Sequence, residues 1–323
     1  MKKTLNTLFF SCFSFVFLIL LLFCSKDCIS LSTNGLLIWY RNMIPSLFPF
    51  MVLSGFMVRT GLSIKIGQLL HPILSFLFPL PSQMLYVIFM GFLCGFPMGA
   101  KIITDMLDKE QLSLKEGEYL LAFCNNIGPL YMLGYVIPLF NYNNIWQILG
   151  YMYLIPFSYG ILLRYFYAKS FTKQAVMACS YKKTIPIRTN YISCFQHSLS
   201  SAIEQITMLG GCMIFFNCLL IFPKQLNMFL SNIVPASSLT FLISIISSVF
   251  EIGGGLQQLS SVATNSVSDT HFFLPLSLLT FGGFSCIMQT CFILKNTGLK
   301  IHTYVMHKLL QSCIFIILML ISC

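Results

Sequence analysis

The sequence predicts an all-α fold: a polytopic integral membrane protein whose membrane segments include broken or re-entrant helices and form two weak internal repeats. Three observations carry this. Of the 323 residues, 57% are hydrophobic and only 9% charged, against about 25% charged in a soluble domain. Apolar runs recur along the chain with no soluble domain appended, and at about 20 residues per span they amount to roughly eight to ten segments. The third is the stretch from Gly91 to Gly134, GFLCGFPMGAKIITDMLDKEQLSLKEGEYLLAFCNNIGPLYMLG. Two apolar segments there are interrupted where a membrane helix should run straight. Backbone polar groups cannot face lipid unpaired, so irregular chain at membrane depth is buried in protein or lines a cavity. Paired broken helices of this kind point to a transporter's substrate site.

The net charge of +10 would suggest nucleic acid in a soluble protein. Here basic cytoplasmic loops account for it, and no nucleic-acid partner is expected. Most of the thirteen cysteines, such as Cys94, Cys212, Cys218 and Cys313, lie in apolar runs, where cysteine acts as a small hydrophobe. No spacing resembles a disulfide framework. Cys24 and Cys28 are close enough to pair outside the membrane, though free thiols are the expectation.

Residues 1–35 read as a first transmembrane helix and an outside loop. The start is basic and the apolar run extends from Leu8 to Cys24. No small-x-small cleavage site precedes Lys26, so the helix is expected to be retained, with its N-terminus inside.

Residues 36–163 form a first broken-helix repeat. Trp39, Tyr40 and Arg41 suit the headgroup level, and Pro45 and Pro49 divide the run after them. The short apolar piece from His71 to Pro81 suits a re-entrant or tilted segment. Ser82 is placed to cap the next helix. On that helix Gly91, Gly95 and Gly99 share one face for close backbone approach. Pro97 clashes with the preceding turn, so the helix kinks or opens near Gly95. Residues 105–118 hold the one dense mixed-charge stretch and must lie in water. Ser113 and Glu116 make a capping box that starts a helix near Leu114. That helix meets Asn125-Asn126-Ile127-Gly128-Pro129 and restarts at Pro129, a favoured first position. A further span covers 145–167.

Residues 164–190 carry Arg164, Lys169, Lys173, Lys182, Lys183 and Arg188 without an acidic residue, a basic cytoplasmic loop. Residues 191–323 form the second broken-helix repeat. A shift of 158 residues pairs Gly95 with Gly253 and Phe123 with Phe281; a shift of 156 pairs Ser54-Gly55 with Gly210-Gly211. Whether the repeats are parallel or inverted is open at this level.

GFPMGAK at 95–101, followed by LLAFCNNIGPL at 120–130, resembles the YlbJ-type sporulation integral membrane proteins, which carry a nucleoside-recognition or Gate domain. FEIGGG at 250–255 and HKLLQ at 307–311 are similar to that family too. The resemblance covers nearly the whole chain after residue 35. It implies an endospore-forming bacterium and a transporter-like fold akin to nucleoside carriers. It also implies a role in spore formation through moving dipicolinate toward the forespore. The expected location is a cell membrane, crossed several times, including a membrane around the forespore.

Opened helices expose N–H groups and about half a positive charge at each new N-terminus, which suits a carboxylate. Openings are expected near Pro97, Pro129, Gly253–Gly255 and Gly282–Gly283. The candidate substrate-binding residues are Gly95, Pro97, Lys101, Asn125, Asn126, Gly128, Pro129, Gly253, Gly254, Gly255 and Gln257. A small dianionic aromatic acid would take Lys101 as counter-charge and Asn125 and Asn126 as amide donors. A nucleoside would use the same amides with Gln257. The bland readings are a glycine-zipper helix that only packs, and a Lys101 that snorkels to the interface. Glu251, an ionisable group within a membrane segment, is expected to be functional. It carries a coupling proton, binds a cation, or holds the opened Gly253–Gly255 backbone; its bland reading is a carboxylate that never titrates. Glu204 reads as interfacial.

No enzyme is expected. His302 and His307 share no helical face, and no HExxH, GxSxG or Walker A pattern appears. No cofactor and no metal site are implied, and without a nucleotide motif the chain does not drive transport by its own ATP hydrolysis. The expected partners are a small solute, the bilayer, a coupling proton or cation, and further copies of the chain in a homo-oligomer. The competing functions are a nucleoside-type carrier and a non-transporting scaffold of the spore envelope.

Overall fold

The computed structural model describes residues 2–142, 144–178, 190–263 and 273–322. Among them every regular element is a helix. The all-α, multi-pass reading holds: six stretches are long and apolar enough to cross a membrane, and three shorter apolar helices accompany them.

The chain begins with α1 (Lys2–Phe23). The outside loop expected after it is instead a helix, α2 (Ser25–Ile38). Tertiary contact explains the difference. A Cβ at Gly35 would lie 2.8 Å from Asn217 Nδ2, Cys28 is buried beside Cys218 and Ile221, and Asp27 pairs with Lys224 at 2.8 Å. A π-helical turn, Trp39–Met43, leads into α3 (Ile44–Arg59). Pro45 lies just beyond that turn and has no N–H for the carbonyl four residues back, which favours the wider turn. Trp39 is partly buried, and its indole N–H donates to the Ile206 carbonyl at 2.9 Å.

After Gly61 (φ +74) comes α4 (Leu62–Leu74), then α5 (Ser82–Cys94). Ser82 does not cap α5. Pro81 holds the extended N-cap conformation, and its carbonyl accepts the Met84 N–H at 3.0 Å. At Gly95 (φ +90) the helix opens outright instead of kinking, and α6 (Met98–Asp108) begins after a cis Phe96–Pro97 bond. Here the chain reverses. A Cβ on either Gly91 or Gly99 would overlap the same Cys124 carbonyl oxygen, whereas a straight helix would hold those two positions about 12 Å apart.

The capping box is formed as expected. The Ser113 N–H donates to Glu116 Oε2 at 2.7 Å, and the Glu116 N–H to Ser113 Oγ at 3.4 Å. It starts α7 (Leu114–Cys124). The break at 125–128 is also formed, and Pro129 opens α8 (Pro129–Tyr131). This helix widens into a π-helical turn (Met132–Val136) ahead of Pro138 and ends as α9 (Ile137–Phe140). Next, α10 (Ile145–Ala178) runs through Arg164, Lys169 and Lys173, so the first half of the expected basic loop is helix. Lys182, Lys183 and Arg188 lie outside the described residues.

The second half contains α11 (Tyr191–Cys218), α12 (Ile221–Leu230), α13 (Ala236–Phe250), α14 (Ile252–Ala263), α15 (Phe273–Phe281), α16 (Gly283–Leu294) and α17 (Ile301–Ser322). An offset of 156 residues aligns the two halves element by element from α4/α12 to α10/α17. It sets Gly95 on Glu251 and Asn126 on Gly282, the sites of the breaks. The sequence offset of 158 therefore misplaces the second break. Chain opens at Glu251 (φ −142, ψ 118), and Gly253–Gly255 are already helical. The glycines serve packing: a Cβ at Gly255 would overlap the Ser248 backbone, so α13 and α14 form a hairpin like α5 and α6.

Beside α1, each half has three described stretches long and apolar enough to cross: Ser25–Arg59, Leu114–Phe140 and Ile145–Tyr167, then Tyr191–Leu230, Phe273–Leu294 and Ile301–Leu318. One hairpin in each half returns to its own side, and α4 and α12, at 13 and 10 residues, are too short to cross. An odd number of crossings inverts the second repeat. It also gathers Arg59, Lys65, Lys109, Lys115, Arg164, Lys295 and Lys300 on one side, which the positive-inside rule makes cytoplasmic.

Gly95 tests the hairpin tip. A Cβ there would overlap the Gly128 backbone, at a φ that L-residues rarely adopt. Gly95→Ala is expected to cost at least about 1–3 kcal/mol, seen as a lowered unfolding temperature in detergent. Gly134→Ala, where nothing lies within 4 Å, should leave that temperature unchanged.

Candidate functional site

The breaks in both repeats meet at one cavity of about 40 Å³. Its walls include Gly95 and Phe96 from the first hairpin tip, Gly128 from the α7–α8 break, Glu251 from the second tip, and Cys286 and Gln289 from α16. Neither hairpin alone encloses anything; the inverted repeat brings the two tips to one place.

Glu251 is 1% exposed. Its Oε2 accepts the Gly254 N–H at 2.6 Å, so the carboxylate caps the half-helix that starts beside it. No cation lies within ion-pair distance of it among the described residues. Asn217, fully buried, sits over Gly254 and donates Nδ2 to the Met213 carbonyl at 3.0 Å.

The opposite charge is one that sequence reasoning did not assign to the site. Lys308 of α17 is 0% exposed. Its ammonium donates to Asn126 Oδ1 at 2.6 Å and to Gln311 Oε1 at 3.5 Å, and lies 5.1 Å from the centroid of the Phe96 ring, which lines the cavity. It too has no ion pair among the described residues. The signal was present: a lysine in the middle of an apolar 22-residue helix is an intramembrane charge, and such charges mark functional sites. In the sequence it entered only as part of the HKLLQ resemblance.

Asn125 and Asn126 are both buried at the break, in different roles. Asn125 Oδ1 accepts the Ala100 N–H at 3.3 Å, and its Nδ2 donates to Thr290 Oγ1 at 3.2 Å and the Tyr304 hydroxyl at 3.0 Å. It ties α6, α16 and α17 to the break and has no polar atom left for a solute. Asn126 donates to the Phe123 carbonyl and holds Lys308. Pro97 and Pro129 start α6 and α8 without lining the cavity. Gly253 accepts the Tyr135 hydroxyl at 3.0 Å through its carbonyl.

Two expected residues are elsewhere. Lys101 is paired with Asp105, one turn along α6, and does not line the cavity; the i,i+4 spacing satisfies it locally. Gln257 is exposed and accepts the Asn34 amide at 3.0 Å, because the turn of α14 carries it to the outer face. Glu204 is exposed on α11. His307 hydrogen-bonds to Tyr159 at 2.6 Å, and no cluster of three or more His, Cys, Asp or Glu that could hold a metal occurs among the described residues.

Fold and site together define a multi-pass membrane protein in which two hairpins and two discontinuous helices meet at a buried pocket with one acid in its wall and one lysine behind its Phe96. No family model matches the chain, and no solved structure matches it. Over 320 residues it is 27% identical to the sporulation integral membrane protein YlbJ of Bacillus subtilis (strain 168), the match taking in 89% of this chain and 76% of the relative. The likeness to this sporulation integral membrane protein runs along nearly the whole chain.

A buried charge without a counter-ion is a stability cost that function must justify. Lys308→Met is therefore expected to unfold at the same or a higher temperature than the unaltered protein. Lys101→Met, which strands Asp105 at 16% side-chain exposure, is expected to unfold lower. Thermal unfolding of the two variants side by side checks both directions.

Proposed function

We propose that this chain carries a small carboxylated solute across a bacterial membrane during spore formation, dipicolinate being the candidate. The observation that carries the reading is Lys308. Its ammonium is buried at a helix break, held only by neutral amide oxygens and an aromatic face. A carboxylate is the ligand that such a group lacks, and it would compete directly with Asn126 for the ammonium. The name of the relative supports the setting, since that protein is called a sporulation integral membrane protein.

The cavity, at about 40 Å³, is far below the roughly 300–1,000 Å³ of a small-molecule pocket. A pyridine dicarboxylate therefore enters only when the hairpin tips draw back from the breaks, and this conformation is a closed one. The glycine contacts between Gly95 and Gly128 are what would part. Their lack of side chains leaves nothing to interlock, so the tips can separate and meet again.

Purified protein in liposomes, with labelled dipicolinate and uridine followed separately, tests the reading. Saturable dipicolinate uptake is expected, reduced at least tenfold in Lys308→Met and unchanged in Lys101→Met. Uptake of uridine alone would transfer the protein to the nucleoside-type carriers. Movement of neither solute by folded protein would favour a scaffold of the spore envelope.

A further inference from the structure

The cavity also gathers oxygen atoms that carboxylate recognition at Lys308 does not use. Glu251 forms part of its wall, with one carboxylate oxygen on the Gly254 N–H. Tyr131 lines the same space at 6% exposure, and its hydroxyl has no hydrogen-bond partner. Gln289, 3% exposed, donates its amide nitrogen to Ser285 at 3.2 Å, which leaves the carbonyl end of the amide. Ser46 gives its proton to the Asn42 carbonyl at 2.6 Å, so its oxygen can only accept. Behind Glu251, the fully buried Asn217 Oδ1 against Gly254 has no partner either.

An acid that shares its wall with the acceptor oxygens of Ser46 and Gln289 and an unpartnered Tyr131 hydroxyl calls for a positive ion. A single proton on Glu251 would cancel its charge but could serve one acceptor only. Hard oxygen donors suit an alkali or alkaline-earth cation. One carboxylate among neutral oxygens, with no second acid in the set, balances a single positive charge. The volume is right as well: about 40 Å³ against the roughly 10–15 Å³ needed per water leaves room for one bare ion and a water or two. Lys308 is a second charge near the cavity, set behind the Phe96 ring that forms part of the wall.

We propose that this cavity is a binding site for a monovalent alkali cation, held by Glu251 with Tyr131, Gln289 and Ser46. Occupancy of the site does not depend on solute transport; a role as the coupling ion rests on the transport reading above.

The test uses full-length protein in detergent with no solute, its unfolding temperature followed as sodium chloride replaces choline chloride at constant ionic strength. A saturable rise of several degrees is expected. It should vanish in Glu251→Gln and shift to several-fold higher sodium in Tyr131→Phe, which keeps the proposal testable if Glu251→Gln does not fold. A temperature that follows pH and ignores sodium would make Glu251 a proton site and overturn the proposal. No response to either would leave a water-filled cavity and overturn it too, as would a stronger response to calcium at lower concentration. Because no solute is present, these outcomes are separate from success or failure of dipicolinate uptake.

Discussion

A helix opened at membrane depth exposes carbonyl and N–H groups that lipid cannot satisfy, and the fold is arranged around satisfying them at 122–128. The Ala122 carbonyl accepts Gln311 Nε2 at 2.7 Å, the Phe123 carbonyl accepts the Asn126 amide, and the Ile127 carbonyl accepts the Tyr153 hydroxyl at 3.1 Å. From the other side, the Ala100 N–H reaches Asn125. Each such group left unpaired would cost about 1–3 kcal/mol. The partners come from α17, α10 and α6, so satisfying one break fixes where three helices stand. Placing Gln311 on Ala122 also brings Lys308, one turn earlier, onto Asn126. The site's cation is delivered by the same contact that makes the break tolerable.

The two hairpins reach one geometry by different chemistry. In the first, Pro97 cannot donate and Gly95 takes a positive φ against Gly128. In the second no proline or positive-φ residue is used: Glu251 goes extended and turns its carboxylate back onto the Gly254 N–H. A side-chain acceptor at a half-helix start does what an N-cap does at an ordinary helix. Since opposite means give the same reversal, few residues match across the repeats, while the spacing of elements is kept.

What the sequence made legible was local. The capping box at Ser113, the break before Pro129, and the openings near Pro97 and Gly282 all follow from dihedral and hydrogen-bonding limits of the residues themselves. Glu251 was legible because an acid in an apolar run is costly wherever its partner lies. Lys308 obeyed the same rule but lies 182 residues from the asparagine that it holds, so only the fold joins them. Lys101 drew attention through its place in the glycine motif, yet Asp105 one turn away satisfies it. Gln257 was expected beside an opening at Gly253–Gly255, but the chain opens at Glu251 and Gln257 lies within α14 on its outer face. The repeat's orientation was out of reach for a related reason: it depends on whether α5–α6 and α13–α14 cross or return, which contacts decide.

Glu251 borders the cavity and Lys308 stands behind its Phe96 wall, and the two form no ion pair. A direct pair would be the obvious way to bury both, yet each is instead held by neutral groups: the Gly254 N–H on one side, the amides of Asn126 and Gln311 on the other. Keeping them apart leaves an acid in the cavity wall and a lysine behind it, neither neutralised by the other. An anionic solute approaching Lys308 would meet repulsion from Glu251, stronger for the low dielectric around it. A cation at Glu251 would cancel that repulsion, and the solute would favour the cation to the same degree, because coupling between two sites is reciprocal. Separated charges in a closed cavity are therefore enough to make two ligands bind together, with no change of fold needed to pass the signal between them.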